Sequence, residues 1–236
     1  MFGSIMGAEI PSGTIIAAPG CVMASCDRFI IRVKGKGCHG STPEKGVDPI
    51  LTGAQIVTGL QEIISREFPG SISKVLTIGK FQAGFAFNVI PDEALMEGTV
   101  RAVNEAVRQQ IMKRIREIAC SISAFRAEAE VEILYGAPPV VNDPEMARLA
   151  AEAARDCAGA ARVLTEITAP TMIGEDFACY LEQVPGAFLF LNSSDHDKGT
   201  DFPHHNCRFD VDEDVLLTGT SVFVRIAERF LSAAVD

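Results

Sequence analysis

Two runs of this sequence hold residue types able to act on a substrate. GKGCHGSTPEKGVDP, residues 35–49, places His39 in a loop of glycine, serine and proline. HHNCRFDVDED, residues 204–214, opens with adjacent histidines among Asp210, Asp212 and Glu213. A loop imidazole can donate or accept hydrogen bonds and changes charge near neutral pH. Neighbouring imidazoles and carboxylates are the donor set of zinc and similar divalent ions, as ligands or as groups that orient ligands. The bland readings stand beside these: a solvated acidic loop with incidental histidines, and a histidine that merely decorates a loop.

Three further residues belong to the same inventory. GEDFACY, residues 174–180, puts Glu175 and Asp176 at the start of a predicted short helix, where carboxylates serve as caps favoured by the helix dipole or as pocket residues. Arg101 lies in a predicted strand; a guanidinium there is a surface residue or a two-pronged grip on a carboxylate. Asn88, close to Pro91, reads as turn chemistry or as a polar contact. No GxSxG elbow, phosphate-binding loop or GxGxxG-plus-acid pattern is present.

The elements that must position these residues are legible from Asp27 onward. DRFIIRVKGK sets Phe29, Ile31 and Val33 against Arg28, Arg32 and Lys34, the pattern of a half-buried strand. DPILTGAQIVTGLQEIISREF begins with Asp48 as cap and Pro49 at the first helical position, with Ile50, Ala54, Val57, Leu60 and Ile64 expected on the apolar face. KVLTIGKFQAG and EALMEGTVRAV read as strands joined by GFAFNVIPD; on the second, Glu97, Thr99 and Arg101 share one face. A helix follows through Val107, Ile111, Ile115, Ile118 and Ile122, then the strand AEVEILYG. The order β-α-β-β-α-β predicts a ferredoxin-like unit with one sheet face or edge left for a partner.

Beyond the linker PPVVNDP, Asp143 caps a predicted helix, PEMARLAAEAARDCAG. A strand near RVLTEI, a short helix in EDFACYLEQV, the buried strand GAFLFLNS and a last helix from Asp214 follow. The last helix carries Val215, Val222, Ile226 and Phe230 on its apolar stripe. This alternation is that of an α/β domain, but two strands are too few for an independent sheet, so an incomplete α/β domain is expected.

Composition narrows the function. Of 236 residues, 31 are Asp or Glu and 21 are Lys or Arg, for a net charge of −10. This argues against nucleic-acid binding, which needs a basic face. Seven irregularly spaced cysteines do not form a disulfide framework and suit free thiols in a reducing, cytoplasmic compartment. No apolar run approaches the roughly 20 residues that cross a bilayer, so no membrane partner is expected. The first residues, MFGSIMGAEIPSGTI, lack the regions of a signal peptide and look like the interior of a domain.

Five blocks, in order, carry a resemblance: IPSGTIIAAPGCVMAS, DRFIIRVKGKGCHGSTPEKGVDPI, GKFQAGFAFNVIPDEALMEGTVR, MIGEDFACYLEQVPGAFLFL and HHNCRFDVDEDVL. Together they resemble the C-terminal portion of the metal-dependent amidohydrolases and carboxypeptidases with a dimerisation lid. That family includes hippurate hydrolase, N-acyl-amino-acid amidohydrolases and auxin-conjugate hydrolases. The resemblance implies that residues 26–137 are a ferredoxin-like dimerisation lid, and that 1–25 and 138–236 are parts of the α/β catalytic domain. It implies a homodimer in which His39 reaches the partner's pocket to steady the oxyanion. By the same resemblance Asn88 and Arg101 hold the substrate's carbonyl and carboxylate, Glu175 lies at the pocket, and His205 is a metal ligand.

The same resemblance marks departures. Ile5 stands where the family's FGxH stretch has a ligand histidine, Cys207 replaces a usual proline, and the earlier Cys/His-Asp and Glu-Glu motifs have no counterpart here. The expectation is therefore the C-terminal part of an enzyme that hydrolyses N-acyl amino acids or small peptides with divalent ions such as zinc or manganese. Alone, that part is expected to be inactive, since a catalytic zinc site takes three protein ligands plus water. The alternatives are a non-catalytic dimerisation or binding module, and a structural metal site built on His204, His205 and the acidic loop.

Overall fold

The computed structural model describes residues 1–121 and 125–233. In chain order its strands and α-helices are β1 (Phe2–Pro11), β2 (Ile15–Ile16), β3 (Gly20–Met23), β4 (Asp27–Lys34), β5 (Cys38–His39), α1 (Pro49–Arg66), β6 (Lys74–Ala83), β7 (Val89–Ile90), β8 (Glu93–Ala102), α2 (Glu105–Cys120) and β9 (Glu128–Leu134). There follow β10 (Val140–Asn142), α3 (Pro144–Ala158), β11 (Val163–Leu164), α4 (Ala178–Leu181), β12 (Ala187–Ser194) and α5 (Asp214–Ala233). They form two units, one of residues 23–139 with 171–176, the other of 1–22, 140–170 and 177–236.

The first of these units is built on an antiparallel sheet in the order β6-β8-β4-β9. With α1 and α2 this is the ferredoxin-like arrangement expected from the sequence. The alternation in β4 does what it predicts: Phe29, Ile31 and Val33 are fully buried, while Arg28, Arg32 and Lys34 pair with Glu97, Glu93 and Glu130 on the opposite face. The core joins those three to Met96 and Val100 of β8, Ile56, Leu60 and Ile63 of α1, and Ile111, Met112 and Ile115 of α2. Each such side chain contributes about 1.5–3 kcal/mol by leaving water.

Helix α1 starts where Asp48 Oδ1 accepts from the Ile50 and Leu51 amides at 2.8 and 3.2 Å. Its buried face is rotated from the expected one. Thr52, Gly53, Ile56, Leu60 and Ile63 are buried, whereas Ile50 and Ala54 are exposed and Val57 and Ile64 half-buried. Gly53 explains the rotation: a Cβ there would stand 2.7 Å from Phe81 Cζ of β6, so the helix seats its small residues on that ring. On α2, Val107, Ile111 and Ile115 are buried and Ile118 partly so, as the spacing predicts. Ile122 lies outside the described residues.

The second unit holds a sheet in the order β1-β12-β2-β11, plus the pair β3-β10. β1 runs parallel to β12 with Phe2 opposite Ala187 and Gly7 opposite Asn192. The sequence reading placed no strand in residues 2–11, because FGSIMGAEIP lacks both alternation and a run of β-branched residues. It becomes a strand because the apolar AFLFLN of β12 supplies a template, and at Gly7 a Cβ would collide with the Asn192 side chain. The two strands expected here thus become a four-stranded sheet. RVLTEI contributes only Val163 and Leu164.

Asp143 caps α3 as expected, accepting from the Glu145 and Met146 amides at 2.9 Å each. Ala147, Ala150, Ala151 and Ala154 of α3 share a core with Val215, Val222 and Ile226 of α5. Phe230, expected on the same stripe, is instead exposed. The short helix begins at Ala178 and has four residues, so Glu175 and Asp176 precede it rather than forming its first turn.

Candidate functional site

His39 and Asn88 are brought together by a two-stranded ladder. β5 pairs antiparallel with β7, Cys38 opposite Ile90 and His39 opposite Val89. The Gly40 amide donates to the Asn88 carbonyl at 2.7 Å. Below the ladder, the Gly35 amide donates to the Asp92 carbonyl and the Gly37 amide to Asp92 Oδ1, both at 2.8 Å. The loop after His39 closes on itself, with the Thr42 amide 2.9 Å from the His39 carbonyl.

The His39 ring is oriented by its own loop. The Ser41 amide stands 3.1 Å from Nδ1 and the Ser41 hydroxyl 2.7 Å. A backbone N–H can only donate, so Nδ1 accepts and the ring proton of the neutral imidazole sits on Nε2. The exposed side chain thus offers an Nε2–H donor whose tautomer is set by a backbone amide. Such a donor is suited to a developing oxyanion.

Arg101 lies on β8 opposite Val75, on the sheet face that it shares with Glu97 and Thr99. Its Nη1 donates to Thr99 Oγ1 and, at 3.0 Å, to the Val100 carbonyl. Thr99 Oγ1 in turn donates to the Asp27 carbonyl at 2.8 Å, which ties the guanidinium to the sheet. Glu175 is half-buried in the segment 171–176, where the Thr171 carbonyl accepts from the Ala24 amide at 2.9 Å.

His205 belongs to the other unit. It is exposed, with a left-handed backbone (φ 65°) in a turn where the Asn206 amide donates to the Pro203 carbonyl at 3.2 Å. Positive φ is uncommon for a residue with a side chain. Its neighbour His204 spends Nε2 on the Met6 carbonyl at 2.6 Å, and its ring meets Phe209 edge-on at 5.1 Å.

The donor set around His205 does not fit a complete metal centre. Among the described residues no three His, Cys, Asp or Glu side chains converge as a ligand group. The acidic loop spends its carboxylates internally: Asp212 and Asp214 each stand 2.6 Å from Lys198 Nζ, and Asp201 stands 2.8 Å from His196 Nδ1. Asp210 accepts from the Val211 amide at 2.8 Å.

Two features escaped the sequence reading. One is an open groove of about 610 Å³ next to the His39–Asn88 ladder, lined by Ile50, Phe85, Phe87, Val89 and Ile90 with the backbone of Gly40. Phe85 and Phe87 are almost wholly exposed. The available signal was GFAFN, two aromatic residues flanking a predicted turn. The other is a buried ion pair between Asp27 and Arg108. Asp27 reads in the sequence as the start of a strand, and Arg108 falls outside the apolar spacing by which its helix is recognised.

Residues 26–124 match the family model described as a peptidase dimerisation domain of the M20 type. The chain is 38% identical over 228 residues to the N-acetylcysteine deacetylase of Bacillus subtilis, covering 96% of this chain and 58% of that protein. It is 34% identical over 232 residues to thermostable carboxypeptidase 2 of Saccharolobus solfataricus, covering 98% and 58%. Among solved structures it resembles the Bacillus subtilis YXEP protein, described as a dinuclear metal-binding peptidase, with a TM-score of 0.75, 34% identity and coverage of 98% and 57%. The chain therefore spans less than three fifths of the length of these relatives.

A ferredoxin-like unit carrying a dimerisation-domain sequence, joined to α/β elements, is what the chain shares with the amidohydrolases and peptidases it resembles. Residues 26–124 belong to the M20-type peptidase dimerisation domains, and the chain resembles M20-family proteins over nearly its whole length.

Proposed function

We propose that this chain is the C-terminal part of a metal-dependent amidohydrolase that cleaves the amide bond of N-acyl amino acids or small peptides. On this reading residues 26–137 are the dimerisation lid, and 1–25 with 138–236 belong to the catalytic domain. The lid pairs two copies, and His39 of one copy serves the pocket of the other. Its Nε2–H donates to the oxygen that becomes negative as the carbonyl is attacked. Asn88 holds the substrate near that oxygen, Arg101 grips its carboxylate in two-pronged fashion, and Glu175 lines the pocket. His205 contributes one imidazole to divalent ions such as zinc or manganese, whose remaining ligands this chain does not supply. The acidic charge and seven free thiols support a cytoplasmic setting.

The observation that carries the reading is the Ser41 amide on His39 Nδ1, which leaves an exposed imidazole with its Nε2–H as the donor. The test is hydrolysis of N-acetylcysteine or hippurate by this chain combined with the part of a relative that lies outside the match. Restored turnover that falls in His39→Ala supports it; turnover indifferent to His39 and Arg101 refutes it. The chain alone, supplied with zinc or manganese, is inactive on this reading. Hydrolysis by the chain alone that is lost in His205→Ala would overturn that part.

The absence of a three-residue ligand group among the described residues favours a second reading, a dimerisation or binding module derived from the family. It predicts dimers and no restored turnover in the same experiment.

A further inference from the structure

The run of residues that carries His39 is anchored from a distant part of the chain. Asp92, 55 positions after Gly37, takes two bonds from it. Its carbonyl accepts from the Gly35 amide and its Oδ1 from the Gly37 amide, both at 2.8 Å. The ladder then passes through Cys38 opposite Ile90 and His39 opposite Val89, and ends where the Gly40 amide meets the Asn88 carbonyl. On the other side Lys36 exchanges both backbone bonds with Val47 at 2.9 Å.

The chemistry of Asp92 is that of an anchor. An aspartate beside a proline ordinarily bonds a backbone amide two residues on. Asp92 follows the buried Pro91, yet its Oδ1 reaches back to Gly37. The residue is exposed and covers no core, and a carboxylate is a stronger acceptor for an amide than a neutral oxygen. Gly37 permits the approach: a Cβ there would stand 3.0 Å from Asp92 Oδ1 and 3.1 Å from the Ile90 carbonyl oxygen. Asp92 is itself fixed, because the next residue, Glu93, opens β8 opposite Lys34 of β4.

A donor aimed at developing charge has to be held within about half an ångström by groups that are themselves fixed. Ser41 orients the ring, and Lys36 with Val47 shapes the loop, but these contacts lie inside residues 36–47. The side-chain bond that ties the run to the sheet is the one from Gly37 to Asp92.

We propose that Asp92 is a positioning residue for His39, fixing through Gly37 where the imidazole stands relative to β8. This rests on the reading of His39 as the donor to the oxyanion, and it names the group that aims it.

The test is nuclear magnetic resonance on the present chain as wild type, Asp92→Ala and Asp92→Asn. Two signals are followed: hydrogen exchange at the Gly40 amide, whose own acceptor is untouched by the substitutions, and the χ1 couplings of His39. In wild type the couplings should report one rotamer. In Asp92→Ala the Gly40 amide should exchange about tenfold faster, the effect of one lost bond to a charged acceptor, and the His39 couplings should move toward rotational averaging. Asp92→Asn keeps an oxygen for Gly37 and should stay near wild type. Amides of Phe29, Ile31 and Val33 in β4 should keep their wild-type rates in both variants. Unchanged Gly40 and His39 signals in Asp92→Ala overturn the proposal, as does a wild-type ring that is already averaged. Equal changes in both variants also overturn it, and so does equal acceleration in β4, which would make Asp92 a general stabiliser. A His39 ring that responds to Asp92 in a protein that hydrolyses no N-acyl amino acid counts against the functional reading alone.

Discussion

Asp27 and Arg108 meet in a two-pronged buried contact, Arg108 Nε 2.9 Å from Asp27 Oδ2 and Nη2 2.6 Å from Oδ1. The carboxylate also accepts from the Gly136 amide at 3.1 Å and the Ser25 hydroxyl at 3.0 Å, while Arg108 Nη2 donates to the Gly136 carbonyl at 2.9 Å. The pair therefore ties the first residue of β4 to the segment just past β9. Burial pulls the Arg108 pKa down, but hydrogen bonds to Asp27 and Glu105 outweigh it and leave the guanidinium above its ordinary value.

Removing one member should be costly. Asp27→Ala leaves the buried guanidinium with only the half-exposed Glu105 as a carboxylate partner and the Gly136 amide without its acceptor, and should destabilise the chain by about 3 kcal/mol. The double variant Asp27→Leu, Arg108→Met should recover a large part of that loss. Urea unfolding of both variants checks the difference; equal losses would show that the pair is not the source.

Asp48→Ala should cost about 1 kcal/mol, since its carboxylate caps the Ile50 and Leu51 amides of α1. Asp48→Asn or Asp48→Ser should lose less, because both retain an oxygen acceptor. Thermal unfolding of the three variants gives the ranking.

The contact between Lys198 and Asp212 should make stability depend on pH at the acid end. Hydrogen bonds from Lys198 and then from Ser12 hold the Asp212 carboxyl below its ordinary value of 3.8. A depressed carboxyl stabilises the fold above the unfolded-state pKa, and that contribution disappears as pH falls through the folded-state value. The melting temperatures of wild type and Lys198→Met should therefore differ at pH 7 and converge below the ordinary carboxylate range. A difference that persists at pH 2 would assign the effect to packing of the lysine stem.

In a complemented enzyme, His39→Ala should lower kcat by about 10²–10³ with a smaller change in KM, the signature of a lost transition-state donor. Stability of the chain should change by no more than about 0.5 kcal/mol, because the side chain is exposed. Steady-state kinetics beside thermal melts separate the two effects.

The ferredoxin-like unit and the helix starts were legible because their signals are local. β4 alternates at period two, Asp48 with Pro49 and Asp143 with Pro144 announce helix starts, and α2 repeats its apolar residues at helical spacing. The strands of the other unit were less legible. β1 has no pattern of its own, and RVLTEI has more strand pattern than the two-residue strand it forms. Glu175 lies ahead of a shorter helix than the sequence suggested, because the chain there is held by Thr171 and its neighbours before α4 begins.

By itself the sequence determined which residues can do chemistry, the alternation and caps of the ferredoxin-like unit, and the five blocks that carry the family resemblance. Tertiary structure alone decided which face of α1 is buried, that residues 2–11 are a strand, that Asp27 finds Arg108, and that His39 pairs with Val89, the residue after Asn88. The reason is range. Side-chain period and capping act within a few residues, whereas strand pairing and close packing are set by partners distant in the chain, whose surfaces exist only once the fold has formed.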